Sequence, residues 1–472
     1  MSNESVLTRE AAERYLRESY FLGDFTDIEV EAAVVLANCE GYLSLNGLST
    51  LSASAAAALA KCKGSSLHLD GLQALSVSTA EELAKYKGSL RLCGLTSLSE
   101  EAARALAMHA GYELNLDGLK TISDAAAQAL AKHQGHLRLG GLTSLSDLTA
   151  WALAKGSCKL CLDGLTKLSN DRGNIALAEK LAKQWASLEL FKLTTISDAA
   201  AAAFAKHSSR ITLSSLTNLS GTAGHVALAE ALTKNRDDLC LLDLTTLSVA
   251  AAKALAKQCG FLTLGLTALN DALAEALALH EGFLDLCSLT TLSDSAAEAL
   301  GKHSGHLQLN GLTTLSDVAA SALARHEDSL VLNGLTTLSD TPGHIALAEK
   351  LAKQTPWLHL NGLTTLSDAA AEALAWHDGQ LGLDGLTTLT DTAAVALAKQ
   401  RGELSLNGLT TLSDAAAEAL AKRLNWLQLR SLTSLSDNAA KALARSEGPL
   451  IISLEKLPES PAAILRTNPK IA

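Results

Sequence analysis

LSLNGLTTLSDAAAEALAKRLNW (404–426) runs straight into LQLRSLTSLSDNAAKALARSEGP (427–449). The two stretches share one plan, and from about Leu43 onward the chain repeats that plan some eighteen times. The leading residue is leucine everywhere except Ile211. It falls at 43, 67, 90, 114, 137, 160, 188, 211, 239, 262, 284, 307, 330, 358, 381, 404, 427 and 450. Most steps are 23 residues, two are 24, one is 22 and three are 28. A period this short is one supersecondary unit stacked on itself. It replaces the roughly three globular domains that the chain length would otherwise suggest.

Within 404–426, Leu404 and Leu406 flank Ser405, the alternation of a short strand with one buried face. The strand reading predicts Leu404-type positions buried and Ser405-type positions exposed. Asn407-Gly408 follows, and Asn-Gly or Asp-Gly recurs in many copies, a pair that tolerates positive φ and so suits a sharp exit. Ser413-Asp414 is a helix start, with a side-chain oxygen for an orphan N–H and a carboxylate at the positive helix end. The helix that follows carries Ala416, Ala419 and Leu420 on one face. Glu418 and Lys422 lie four apart on the other, as do Glu81/Lys85, Glu298/Lys302 and Glu349/Lys353. A glycine after many helices (Gly41, Gly88, Gly135, Gly260, Gly282, Gly305, Gly379, Gly402) suits a left-handed cap.

Strands related by a helical return run the same way and form a parallel sheet. Strands pack about 4.8 Å apart and helices about 8–10 Å, so the array should curve, strands concave and helices convex. The small alanines keep that curvature gentle. This pattern resembles the leucine-rich-repeat superfamily over roughly 43–454, in particular its alanine-rich bacterial members with helical convex faces. That resemblance implies an α/β solenoid used for protein binding. The asparagine position of the usual L-x-x-L-x-L-x-x-N-x-L pattern is leucine here (Leu48, Leu312, Leu409), and Asn or Asp stands two places earlier.

Residues 1–41 lack the L-x-L signature and read as a helical N-terminal cap, with a first helix from Thr8 to Tyr20. The solenoid is expected over 42–454, and 455–472 as a C-terminal cap and frayed tail. Three copies (160–187, 211–238, 330–357) carry five extra residues around Gly-[His/Asn]-[Ile/Val]-Ala-Leu-Ala. Those residues suggest an extra helical turn or a bulge on the convex side, at which Asn174, His225 and His344 are either a site or a surface extension. The turn glycine is missing at Lys192, Ser215, Asp243, Ser288 and Ser431, so the sheet should be least regular around 188–244.

The net charge of −11 comes without a Lys/Arg block, which disfavours nucleic acid as a partner. No run approaches the 18 apolar residues of a membrane span, the N-terminus has no signal-peptide core, and eight scattered cysteines suggest free thiols. A cytoplasmic protein, monomeric, with no membrane contact and no cofactor, is the expectation. Histidines 109, 133, 207, 280, 303, 326 and 377 share one position near the helix C-terminus. There they meet the helix dipole and can bond free carbonyls; a metal site would need several around one ion. Cys158-Lys159-Leu160-Cys161 is a lone C-x-x-C with neither a second pair nor a following helix start. Phosphate-loop, zincin and nucleophile-elbow motifs are absent from the sequence, so no enzyme activity is expected.

The informative residues vary while the framework stays constant. The column before each leading leucine should face the concave side, and it holds Phe261 and Phe283 in adjacent copies, His306 in the next, and Trp357 on a strand with His359. Aromatics are scarce at 3%, so their gathering in one column marks Phe261, Phe283, His306, Trp357 and His359 as candidate partner-binding residues. Local packing against the helix-to-strand loop is the competing reading. A non-catalytic protein-interaction scaffold is the function these residues suggest. The alternatives are a substrate-recognition subunit of an enzyme or effector system and a self-assembling structural protein.

Overall fold

A computed structural model describes residues 5–18, 22–184, 187–234, 238–354 and 356–471. The chain divides into two compact units, Met1–Asn218 with Thr222–Asn235, and Leu219–Gly221 with Arg236–Ala472. Both are built from the expected unit of strand, turn and helix, with strands pairing parallel to their neighbours within the main sheets. The register follows the repeat: Leu43 pairs with Leu67, Leu67 with Leu90 and Leu137 with Leu160 in the first unit. Leu381 pairs with Leu404, and Leu404 with Leu427, in the second. Every one of these leucines is buried, as are Ala416, Ala417, Ala419 and Leu420 on the inner side of helix Asp414–Leu420.

Neighbouring copies are tied by ladders of side-chain bonds. Ser413 Oγ accepts from Ala416 N (3.0 Å), capping its own helix, and also donates to Asp391 at the start of the preceding helix. Ser146–Asp124 (2.5 Å) and Ser293–Asp271 (2.6 Å) repeat that bond. The Ser-Asp pair thus serves twice, as a cap and as a tie between helices. A second ladder runs along the turns, where Asn407 N donates to Asp384 Oδ1 (2.9 Å) and Arg430 N to Asn407 Oδ1 (3.1 Å). A third joins threonines, as in Thr194 Oγ1 to Thr166 O (2.9 Å) and Thr217 Oγ1 to Thr194 O (3.0 Å). The Asn/Asp two places early therefore does form an inter-repeat ladder.

Several expectations need correction. Among the described glycines only Gly305, which follows a helix, has positive φ (114°), so the Asn-Gly glycines and the other post-helix glycines are not there for left-handed backbone. A side chain at Gly408 would overlap Asp384 O, and one at Gly402 would overlap Gly379 O, each a backbone carbonyl of the preceding copy. Close stacking demands Gly402 and Gly408, whereas a Cβ at Gly41 would meet nothing within 4 Å. Helices end instead on alanine in right-handed conformation, such as Ala421. Ser405 is buried rather than exposed, bonded to Asp384 Oδ1 (2.5 Å) and Asn407 Nδ2 (2.8 Å), because strand spacing lets longer neighbours lie across it. Lys85 pairs with Glu82 (2.7 Å) rather than Glu81, and the other three expected i,i+4 pairs are not joined among the described residues.

The long copies gain helix. Arg172–Gln184 has 13 residues and Pro342–Ala352 has 11, against 7 in Asp414–Leu420. Asn174, His225 and His344 are buried and structural: His344 Nε2 bonds Leu315 O (3.1 Å) and His225 Nε2 bonds Ile196 O (2.9 Å). Wherever a long copy falls within a unit, the main sheet breaks. The six-stranded sheet ends at Lys159–Cys161 and Ser187–Glu189 belongs to another; a second break separates Leu330–Val331 from Trp357–His359. A glutamine side chain stands in for the missing strand. Leu307 N donates to Ser329 O (2.8 Å), but Leu330 N donates to Gln354 Oε1 (2.5 Å) while Gln354 Nε2 donates to Leu330 O (3.1 Å). Gln184 treats Leu160 the same way. At both breaks, two-residue strands further along the copies pair instead, Leu168 with Ile196 and Leu338 with Leu366.

At the N-terminus, helix Arg9–Glu18 falls within the expected Thr8–Tyr20 span, and residues 19–20 lie outside the described residues. Leu7, Ala12, Ala32, Ala33 and Leu36 are buried, and Ser49 N donates to Thr26 O (2.9 Å), continuing the inter-repeat bonding. We propose that residues 1–41 cap the array. Deleting them should expose Leu43, Leu45 and Leu48, each worth roughly 1.5–3 kcal/mol when buried, and lower both melting temperature and solubility. An unchanged melting curve for the truncated protein would argue against capping.

Candidate partner-binding face

Side chains beside the leading leucine leave the sheet on the side opposite the core, because strand residues alternate. In strand Phe261–Leu264, Phe261 is exposed while Leu262 and Leu264 are buried. Phe261 pairs with Phe283 in register, and their ring centroids lie 4.7 Å apart at 31°. The His306 ring stacks on Phe283 at 4.2 Å and 8°. The three rings form one continuous row across three copies, with Phe283 and His306 half-buried against each other. Burial lowers the His306 pKa, and the nearby Asp285 carboxylate partly opposes that shift.

Trp357 and His359 are not part of that row. They project from strand Trp357–His359 in a different sheet, beyond the break that follows Leu330–Val331. Both are exposed, and His359 has room because its register partner is Gly382. Three of the five candidates thus form one surface, and two form a separate one. Two further ring pairs were not singled out from sequence. Tyr112 packs on His136 (4.3 Å), and Tyr42 meets the His68 ring edge-on (4.5 Å). Tyr112 precedes its column by one place, which hid it. Among the described residues Trp376 is the most exposed large apolar one, on the helix side where other copies carry Lys302, Arg325 or Lys399. Its signal was Ala-Trp-His in place of Ala-Lys-His.

The recurrent histidines face the interior. His280, His303 and His326 stack at 5.9 Å spacings, and His109 on His133 at 5.7 Å. His207 Nδ1 bonds Ala182 O (2.8 Å) and His377 Nδ1 bonds Ala352 O (3.0 Å), each a carbonyl of the preceding copy. Nearly parallel rings do not aim their nitrogens at a common point, and no metal-holding group occurs among the described residues. Burial raises the Cys158 thiol pKa and, with Asp163 beside it, pushes Cys161 up to about 12, so both stay protonated and unreactive. A cleft of about 230 Å³ opens at the first sheet break, with Glu113, His136, Arg138 and Glu189 among its lining residues. No helix among the described residues is long and apolar enough to cross a membrane.

Parallel strands in leucine register, backed by one helix per copy, make each unit a leucine-rich-repeat solenoid of α/β type. No family model matches the chain, and no curated protein matches it. Among solved structures it is similar to Toll from the Drosophila Toll–Spatzle complex, at 15% identity and TM-score 0.36, covering 94% of this chain and 55% of that one. It is also similar to TLR13 in the TLR13–ssRNA13 complex, at 17% identity and TM-score 0.28, covering 92% and 64%. A third is an internalin from Listeria monocytogenes, at 14% and 0.22, covering 97% and 92%. The chain spans little more than half the length of the Toll chain.

Proposed function

We propose that this chain is a non-catalytic scaffold, cytoplasmic and monomeric, that binds a protein partner through its sheet face. The observation that carries the reading is the stacked row Phe261–Phe283–His306, exposed at Phe261 and half-buried at the other two, on a sheet whose leading leucines are turned inward. The framework needs no aromatics there, since most copies place small or polar residues in that column. Rigid rings supply contact area at little entropic cost, and truncating a true anchor typically loses roughly 2 kcal/mol or more. Trp357 with His359 offers a second anchor point on its own sheet. The eight cysteines are all free thiols, in keeping with a reducing compartment.

Partner capture from the native cell, compared between wild type, Phe283→Ala and Trp357→Ala, tests the reading. Anchors lose the partner with the melting temperature kept. If both variants capture it like wild type, the binding surface lies elsewhere; if they melt early, the rings serve packing.

A further inference from the structure

The cleft of about 230 Å³ at the first sheet break lies between two strand edges, with Leu162 on one wall and Ser187 and Glu189 on the other. In the intact copies before it, Leu116 N donates to Arg138 O and Leu139 N to Cys161 O (2.9 Å each). The next bond of that ladder, from Leu162 N to Glu189 O, is not made among the described residues. The second break interrupts the ladder at the same step. There Leu286 N donates to Gln308 O and Leu309 N to Val331 O (2.9 Å each), but Leu332 N does not reach His359 O. Leu162 and Leu332 are each only 1% exposed, and a buried N–H without an acceptor is costly. One rung of the first cleft is already filled by an amide: Leu160 N donates to Gln184 Oε1 (3.2 Å), and Gln184 Nε2 donates to Leu160 O (2.5 Å). Beyond that rung, the cleft offers a donor on one wall and an acceptor on the other.

We propose that this cleft takes a peptide group of the protein partner, in a short extended segment inserted between Lys159–Cys161 and Ser187–Glu189. A trans peptide group carries its C=O and N–H on opposite sides. It can therefore accept from Leu162 N and donate to Glu189 O at once, as an added strand does. A carboxylate has no proton for Glu189 O, and an ammonium has no acceptor for Leu162 N. Glu113, His136 and Arg138 also line the cleft, so neither sign of charge is selected and the backbone itself is what is read. The inference rests on the reading that the sheet face binds a protein, and it adds a contact on the first unit. A single water also combines donor and acceptor, and is the occupant to be told apart.

The test titrates acetyl-Gly-Ala-Gly-methylamide, and its counterpart methylated on every peptide nitrogen, into the isotope-labelled full chain. The first peptide should shift the Leu162 amide resonance. The methylated one, which keeps the carbonyls but has no N–H for Glu189 O, should bind at least about tenfold more weakly, as the loss of a buried hydrogen bond entails. Ser187→Trp fills the cleft with a side chain that the same column carries natively at Trp357 and Trp426. It should abolish the shift with the melting temperature kept. No shift of Leu162, equal binding of the two peptides, or an undiminished shift in the Ser187→Trp chain overturns the proposal and leaves the bridge to water. If Phe283→Ala loses the partner while the peptide leaves Leu162 undisturbed, the docking face stands and the peptide cleft falls. If Leu162 stays undisturbed and Phe283→Ala and Trp357→Ala also keep the partner, both fall.

Discussion

Acidification through the histidine range should destabilise this protein well before its carboxylates are lost. Burial holds His109 far below the ordinary imidazole value of 6.5, at about 4, and the neighbouring His133 lowers it further. Burial likewise lowers His133, His280, His303 and His326, whose surroundings are other column histidines, backbone carbonyls, His136 beside His133, and Lys350 and Asp328 beside His326. For a base with a depressed folded pKa, the unfolded chain takes up protons first as pH falls. Stability is therefore full above pH 6.5 and declines progressively toward about pH 4. The His109 shift alone corresponds to about 3 kcal/mol once both forms are protonated. The Asp124, Asp171, Asp198 and Asp317 carboxyls are held below their ordinary range by hydrogen bonds, so their losses come at lower pH. Melting temperature followed against pH checks this, with a variant carrying glutamine at 109, 133, 280, 303 and 326 as control. Glutamine is native to the column at Gln258 and Gln400, and Gln400 Nε2 bonds His377 O (3.0 Å). The variant should hold its melting temperature to lower pH; identical profiles would refute the histidine origin.

Replacing Arg423 by leucine should cost about 3 kcal/mol, the scale of leaving several buried acceptors without donors. Arg423 occupies the same interior column, nearly fully buried, and among the described residues no carboxylate pairs with it. Nη1 donates to Leu397 O (2.7 Å) and Gln400 O (2.9 Å), and Nη2 to Gln400 Oε1 (2.7 Å) and Gly402 O (2.6 Å). Leu397 ends helix Asp391–Leu397, so the cation also meets the negative end of that helix dipole. Burial lowers the guanidinium to about 10, leaving it charged at neutral pH. Arg423→Gln keeps a donor pair and should recover part of the loss. Denaturant midpoints for the two variants decide the matter: a leucine variant as stable as wild type would show the bonds to be dispensable.

The strand leucines, the helix starts and the Ser caps were legible in the sequence because each follows from the local chemistry of one copy. Features set by the neighbouring copy were not. Gly408 reads as a turn former on its own, yet its need for no side chain comes from Asp384 O, 24 residues earlier. Ser405 reads as solvent-facing until Asp384 is placed across it. The paired two-residue strands and the glutamine that substitutes for a strand also depend on how copies of unequal length stack. Of the candidate site, the column holding Phe261, Phe283 and His306 could be read from alternation. The separation of Trp357 and His359 could not, because it depends on the sheet break made by the long copy.

The side-chain ladders have a consequence for heredity. Ser413 bonds Asp391 and Ser436 bonds Asp414, one copy on, with the same donor and acceptor in the same register. Excising or duplicating one 23-residue segment joins a serine to an equivalent aspartate and a glycine to an equivalent carbonyl. Recombination that removes or adds one such copy would therefore yield a shorter or longer protein whose junctions are already complementary. A lineage carrying this chain can change the length of its surface in single steps, without first passing through a broken interface.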